Sequence, residues 1–104
     1  MTETSKRLKG ELKNIYNYTK ANGGVAPNEN SPIYGKYKVV KKIIDALAKT
    51  NYIEAEILRR RILKGESFEQ IAINVYYSRS HLYRYMKKAE TLFVEKAIEM
   101  NLVK

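Results

Sequence analysis

The sequence predicts an all-α protein, a small helical domain that contains a helix-turn-helix and closes with a long C-terminal helix. Three observations carry that expectation. Apolar residues return at three- and four-residue intervals in each patterned segment, caps and stops stand at the joins, and the nearest strand candidate, "VYYS", is too short to pair usefully. With 104 residues, 44% of them apolar, the chain has room for one small core of about three to five helices.

Leu8, Leu12, Ile15 and Tyr16 put about Thr4 to Ala21 on an amphipathic helix, weakened at Gly10 and ended by Asn22, Gly23 and Gly24. The stretch "GGVAPNENSPIYGKYK" holds both prolines and three of the five glycines. It reads as a flexible loop over 23–37 that separates a short N-terminal helix, 1–22, from a compact remainder, 38–104. From Lys38 to Lys49, Val39, Val40, Ile43, Ile44, Leu47 and Ala48 repeat as apolar pairs, with Lys38, Lys41, Lys42 and Lys49 on the other face. In "TNYIEAEILRRRILKG" a cap at Thr50 or Asn51 precedes the early acids Glu54 and Glu56. Arg59, Arg60, Arg61 and Lys64 then stand at the negative end of the helix, and Gly65 stops it. Ser67 with Gln70 forms a capping box for a short helix, and Ser78 starts the last one, from about Arg79 to near Leu102.

The two helix starts, Ser67 and Ser78, lie at the separation a helix-turn-helix requires. Ile71 and Val75 face the shared core from the first helix, and Leu82, Tyr85 and Met86 face it from the second. Ala72 is the small residue at the crossing, and Tyr77 plugs the turn. Tyr76 stands where a glycine commonly opens such a turn, a departure that costs roughly 1 kcal/mol if the residue is left-handed.

Charge then points to a partner. Twenty Lys and Arg against eleven Asp and Glu give +9 and a pI near 9.7, which favours a polyanion such as nucleic acid or an anionic membrane surface. Between Ser78 and Lys88 there are four cations and no acid. A helix that enters the major groove needs guanidinium groups for guanine edges, with ammonium and hydroxyl groups for phosphates. Bases are therefore assigned to Arg79, Ser80, His81, Tyr83 and Arg84. Phosphates fall to Lys87, Lys88 and Ser67, with Lys41 or Lys42 as further contacts. Taken alone, a basic helical run is more often a solvated face; the caps, the inward pattern and the small crossing residue favour the reader of double-stranded DNA. Consecutive Arg59, Arg60 and Arg61 point in different directions, so ion pairing or dipole contact is expected for some of them and phosphate for one or two.

Other chemistries find little footing. No apolar run approaches the ~18 residues of a membrane span and no secretory leader opens the chain, so a protein of the cell interior, with no membrane partner, is expected. Absent cysteine and a lone His81 argue against disulfides, metal centres and histidine-dependent catalysis. No phosphate-cradling glycine loop, paired carboxylates or nucleophile beside a base suggests an enzyme, and no cofactor is implied.

The segment "EAEILRRRILKGESFEQIAINVYYSRSHLYRYMKKAE" resembles the C-terminal part of small bacteriophage transcriptional regulators of the ArpU and RinA type, whose helix-turn-helix is similar to region 4 of bacterial sigma factors. The resemblance rests on Lys64, Gly65 and Glu66, then Ser67, Phe68, Ile71 and Ala72, then Tyr76, Tyr77 and Ser78, then Arg79, His81, Tyr83 and Arg84. It covers about Ile53 to Ala89, and many sigma-like and terminase-like modules share the motif. It implies activation of late phage genes from promoter DNA in the cytoplasm of a bacterial host. Two other roles stay open: a small terminase subunit or packaging factor, and a module that contacts RNA polymerase or a sigma factor.

Farther along, Leu82, Met86, Ala89, Phe93, Ala97 and Met100 approach a heptad seam. It either packs back on the helix at Val39 to Ala48 or, through Phe93, Ala97 and Met100, pairs two copies into a homodimer.

Overall fold

A computed structural model describes residues 3–75 and 78–100, and every regular element among them is helical. Helix α1, Glu3–Ala21, turns Leu8, Leu12, Ile15 and Thr19 inward, because steps of four, three and four residues return to one face of a 3.6-residue helix. Its last carbonyls do not stay open: the Gly24 N–H donates to Thr19 O at 2.8 Å and the Asn22 side-chain amide to Tyr18 O at 2.8 Å.

Helix α2 spans Tyr34–Leu47 and so begins four residues before Lys38. Pro32 and Gly35 read as loop punctuation in sequence. Pro32, however, precedes the first turn, where a missing N–H leaves nothing unpaired, and the Tyr34 N–H closes a turn onto Ser31 O at 3.0 Å. Val40, Ile43, Ile44 and Leu47 are buried, as their spacing requires. Helix α3, Tyr52–Leu58, runs on into a π-helical turn over Arg59–Leu63. Helices α4, Phe68–Val75, and α5, Arg79–Glu99, complete the chain, with Met100 as the C-cap of α5. Tyr76, Tyr77 and the stretch 101–104 lie outside the described residues, and with them the expected tyrosine turn and the extension of the last helix to Leu102.

Two expectations need correction. Residues 1–22 are not set apart from the remainder, since Leu8, Leu12 and Ile15 are at most 2% exposed in one core shared with α2, α3 and α5. The seam of α5 is spent inside the same chain. Phe93 and Ala97 are fully buried, Met100 packs partly against that core, and α5 contacts both α2 and α3. Phe93 and Ala97 therefore have no surface to offer a second copy.

The π turn decides how α1 docks. Its wider winding shows in the Lys64 N–H, which reaches Arg59 O at 3.1 Å, five residues back. Thr19, fully buried, donates its hydroxyl to Ile62 O at 2.7 Å; Tyr16 O, at 3.2 Å, is the more distant acceptor. The junction is tightened by Gly65, left-handed at φ 65°, where an added Cβ would stand 2.6 Å from Lys20 N. Gly24 meets the other side, its Cβ position 2.8 Å from Lys64 O. Only glycine permits two backbones to approach this closely.

Thr19→Val keeps the shape and removes the donor, stranding a buried carbonyl. Stability should fall by about 1–3 kcal/mol, read as a lower urea midpoint at unchanged m-value.

Candidate nucleic-acid interface

All eight sequence-assigned contacts, Ser67, Arg79, Ser80, His81, Tyr83, Arg84, Lys87 and Lys88, are solvent-exposed. Seven of them share the N-terminal half of α5, which Leu82, Met86 and Ala89 pin to the core from the opposite side. Local chemistry fixes where this helix begins. Ser78 Oγ accepts the His81 N–H at 3.3 Å and lies 3.3 Å from the His81 ring Nδ1. Helix α4 starts on the reciprocal capping box: the Ser67 N–H donates to Gln70 Oε1 at 2.8 Å, and the Gln70 N–H to Ser67 Oγ at 3.2 Å.

The orientation of α4 and α5 comes from a column of aromatic rings and one guanidinium. The Arg61 guanidinium carbon lies 4.1 Å from the Tyr16 ring centroid and 4.2 Å from that of Phe68, and Phe68 packs against Tyr83 at 4.7 Å between centroids. Tyr16, Arg61, Phe68 and Tyr83 thus link α1, the π turn, α4 and α5 in sequence. Arg61 also donates to Glu66 O at 3.0 Å, which fixes its plane. Cation–π contacts of partly buried groups are worth about 0.5–2 kcal/mol each, and here two share one cation.

Acids sort the remaining cations. Arg59 pairs with Asp45 and Glu56 at 3.1 and 3.0 Å, and Arg60 with Glu56 and Glu66 at 3.2 and 3.5 Å. All three arginines thus have partners within the protein, Arg59 and Arg60 in ion pairs and Arg61 between two rings. On α5, Arg79 faces Glu69 at 3.6 Å with both side chains exposed, a pair of little energetic weight. Lys88 lies 3.3 Å from Glu54, whose side chain is only 8% exposed. Arg84 and Lys87 have no ion pair among the described residues.

Around this face lie two clefts. His81, Arg84, Tyr85 and Lys88 border one of about 240 Å³. On the other flank a groove of about 420 Å³ runs between α5 and α1, with Tyr83 and Lys87 on one wall and Lys9 and Lys13 on the other. Lys41 and Lys42 line a different cleft, of about 450 Å³, which includes Met100 at the other end of α5.

No family model matches the chain, and neither a curated protein nor a solved structure matches it. Among the described residues no helix is long and apolar enough to cross a membrane.

Sequence reasoning missed three contributors. Glu54 reads as a dipole partner at a helix start, yet it is the buried anchor of Lys88. Tyr16 reads as one member of an apolar stripe and Arg61 as one of three cations, yet their stacking sets the α4–α5 geometry. Only the unusual "RRR" run flagged Arg61 at all, since ring and guanidinium are far apart in sequence.

Asp45 is the titrating group that reports on this charge network. Burial pushes its carboxyl up, but hydrogen bonds from Lys41 and Arg59 and their positive charges outweigh that and hold it below its ordinary 3.8. A carboxyl depressed by folding stabilises the fold above its unfolded value and loses that contribution as pH falls through the lowered one. Asp45→Asn should therefore lower the denaturation midpoint modestly at neutral pH, with the gap to wild type closing as pH drops below 3.8.

Lys88→Met leaves the Glu54 carboxylate without its partner. Its cost should fall between exposed and buried pairs, about 1–2 kcal/mol. Glu54→Gln in the same chain should recover most of it in a double-mutant cycle by thermal melting.

Proposed function

We propose that the chain is a sequence-specific regulator of transcription that binds double-stranded DNA through α4 and α5, and that it activates late genes of a phage or prophage. The observation that carries this reading is the exposed face of α5 centred on Arg84. It presents four cations and no acid from Ser78 to Lys88, on a helix whose opposite side is fully committed to the core. Such a face meets the major groove with its amino-terminal half, where side chains reach base edges. Arg84 is the base reader at the centre, with Ser80 one turn before it and Arg79 and His81 beside them. Lys87 takes a phosphate. Lys88 takes one too, at the expense of its contact with Glu54. Ser67 and the α4 start lie across the groove edge, where a helix N-terminus favours phosphate. The resemblance of "SFEQIA" and "YYSRSHLYR" to ArpU- and RinA-type regulators supports the assignment to phage transcription.

Selection of bound duplexes from a random pool tests the reading, followed by titration of the enriched site. Arg84→Ala should weaken that site by about 1–3 kcal/mol, roughly 5- to 150-fold, and leave unselected DNA almost unaffected. An enriched site bound equally well by Arg84→Ala would show that α5 does not read bases through this residue. Binding without any enriched motif would move the role from regulation to packaging of DNA.

A further inference from the structure

The groove between α1 and α5 carries more charge than a packing seam needs. Lys9, Lys13, Arg61 and Lys87 border it against a single carboxylate, Glu90. Arg61 is held by Tyr16, Phe68 and Glu66 O, whereas Lys9, Lys13 and Lys87 have no ion pair among the described residues. The sidedness of α1 is consistent with this. Glu11 is two residues from both Lys9 and Lys13, and so about 200° around the axis from each; the wall that faces α5 carries lysine without acid. Lys9 and Lys13 stand one turn apart, about 6 Å along α1, against an axial rise of about 3.4 Å per nucleotide in one strand. The pair therefore matches about two nucleotide steps of one strand, so that each ammonium group meets its own phosphate.

We infer that α1 is a second grip on DNA: Lys9 and Lys13, together with Lys87 across the groove, take up backbone phosphates of the strand that borders the major groove occupied by α5. The inference rests on the DNA-binding reading above and extends it to an element outside the helix-turn-helix. Contacts of this kind carry no sequence information; they set register and contribute affinity that falls with salt. The aromatic column makes the grip effective, because Tyr16 on α1 and Tyr83 on α5 are tied through Arg61 and Phe68. The lysines are thereby held at a fixed distance from Arg84.

Each neutralised phosphate contributes about −0.9 to the slope of log K against log salt concentration. Wild type, Lys9→Ala/Lys13→Ala and Lys42→Ala/Lys49→Ala are titrated with the selected duplex at several salt concentrations, with circular dichroism as the check on folding. The two double variants lose the same net charge, but Lys42 and Lys49 line the cleft beside Met100. The expected result is a slope shallower by about 1.8 for Lys9→Ala/Lys13→Ala, with the preference for the selected site kept, and an unchanged slope for Lys42→Ala/Lys49→Ala. Equal changes in both variants would reduce the effect to net charge and overturn the assignment, as would no change in either. If Arg84→Ala loses the preference while Lys9→Ala/Lys13→Ala keeps the wild-type slope, the grip of α1 fails and the DNA reading stands. Absence of wild-type binding at low salt removes both.

Discussion

The contact on which the rest of the molecule depends is the one between the end of α1 and the π turn. A π turn widens the helix and changes which carbonyls find partners within it. In this protein Ile62 O is met from outside by the fully buried Thr19 hydroxyl at 2.7 Å. The bond is directional, so it fixes both how far α1 approaches and how it is rotated. Gly65 against Lys20 and Gly24 against Lys64 leave no slack on either side. From that fixed rotation follows the position of Tyr16, then of Arg61 between Tyr16 and Phe68, and then of Tyr83 on α5. The geometry of the candidate interface is thus inherited from a junction that contains none of its residues.

A second constraint is the distribution of acids. With +9 overall, cations could crowd anywhere, yet three of the eleven acids, Asp45, Glu56 and Glu66, hold Arg59 and Arg60 where α2, α3 and the π turn meet. Glu54 adds one buried tie to α5 through Lys88. Neutralising the interior of the bundle leaves the excess charge on α2, on one wall of α1 and on the outer face of α5. Charge that remains on surfaces after internal pairing is the part that a polyanion encounters.

Much of the helical architecture was legible because burial follows period. Leu8, Leu12 and Ile15 on α1, the apolar pairs of α2, and Leu82, Met86 and Ala89 on α5 all face inward as their spacing requires. The caps at Ser67 and Ser78 were legible for a different reason, since their partners, Gln70 and His81, are three residues away. Features that join distant segments were not. Nothing in "RRRIL" distinguishes a π turn from an α turn, and the hydroxyl that meets its Ile62 carbonyl comes from Thr19, 43 residues away. Thr19 itself continues the row of Leu8, Leu12 and Ile15 and looks merely tolerated there. The start of α2 lies earlier than the sequence indicates, because Pro32 and Gly35 suggest a loop when no neighbour is in view. Of the candidate site, the charged face of α5 could be read from one helix, whereas the opposing wall on α1 exists only once the two are packed.

The sequence separation in the Thr19–Ile62 bond also bears on the order of events in folding. Closing a loop of 43 residues carries a length-dependent entropy of about 3 kcal/mol, more than the shorter connection between neighbours such as α4 and α5 requires. Helix α1 is synthesised before the carbonyl it donates to, Ile62 O, and before the glycine it rests on, Gly65. Until then its apolar row has α2 to pack against but not the π turn or α5. The nascent chain therefore carries an amphipathic helix waiting for its seat, and the lysine-lined groove is completed only when folding itself is complete.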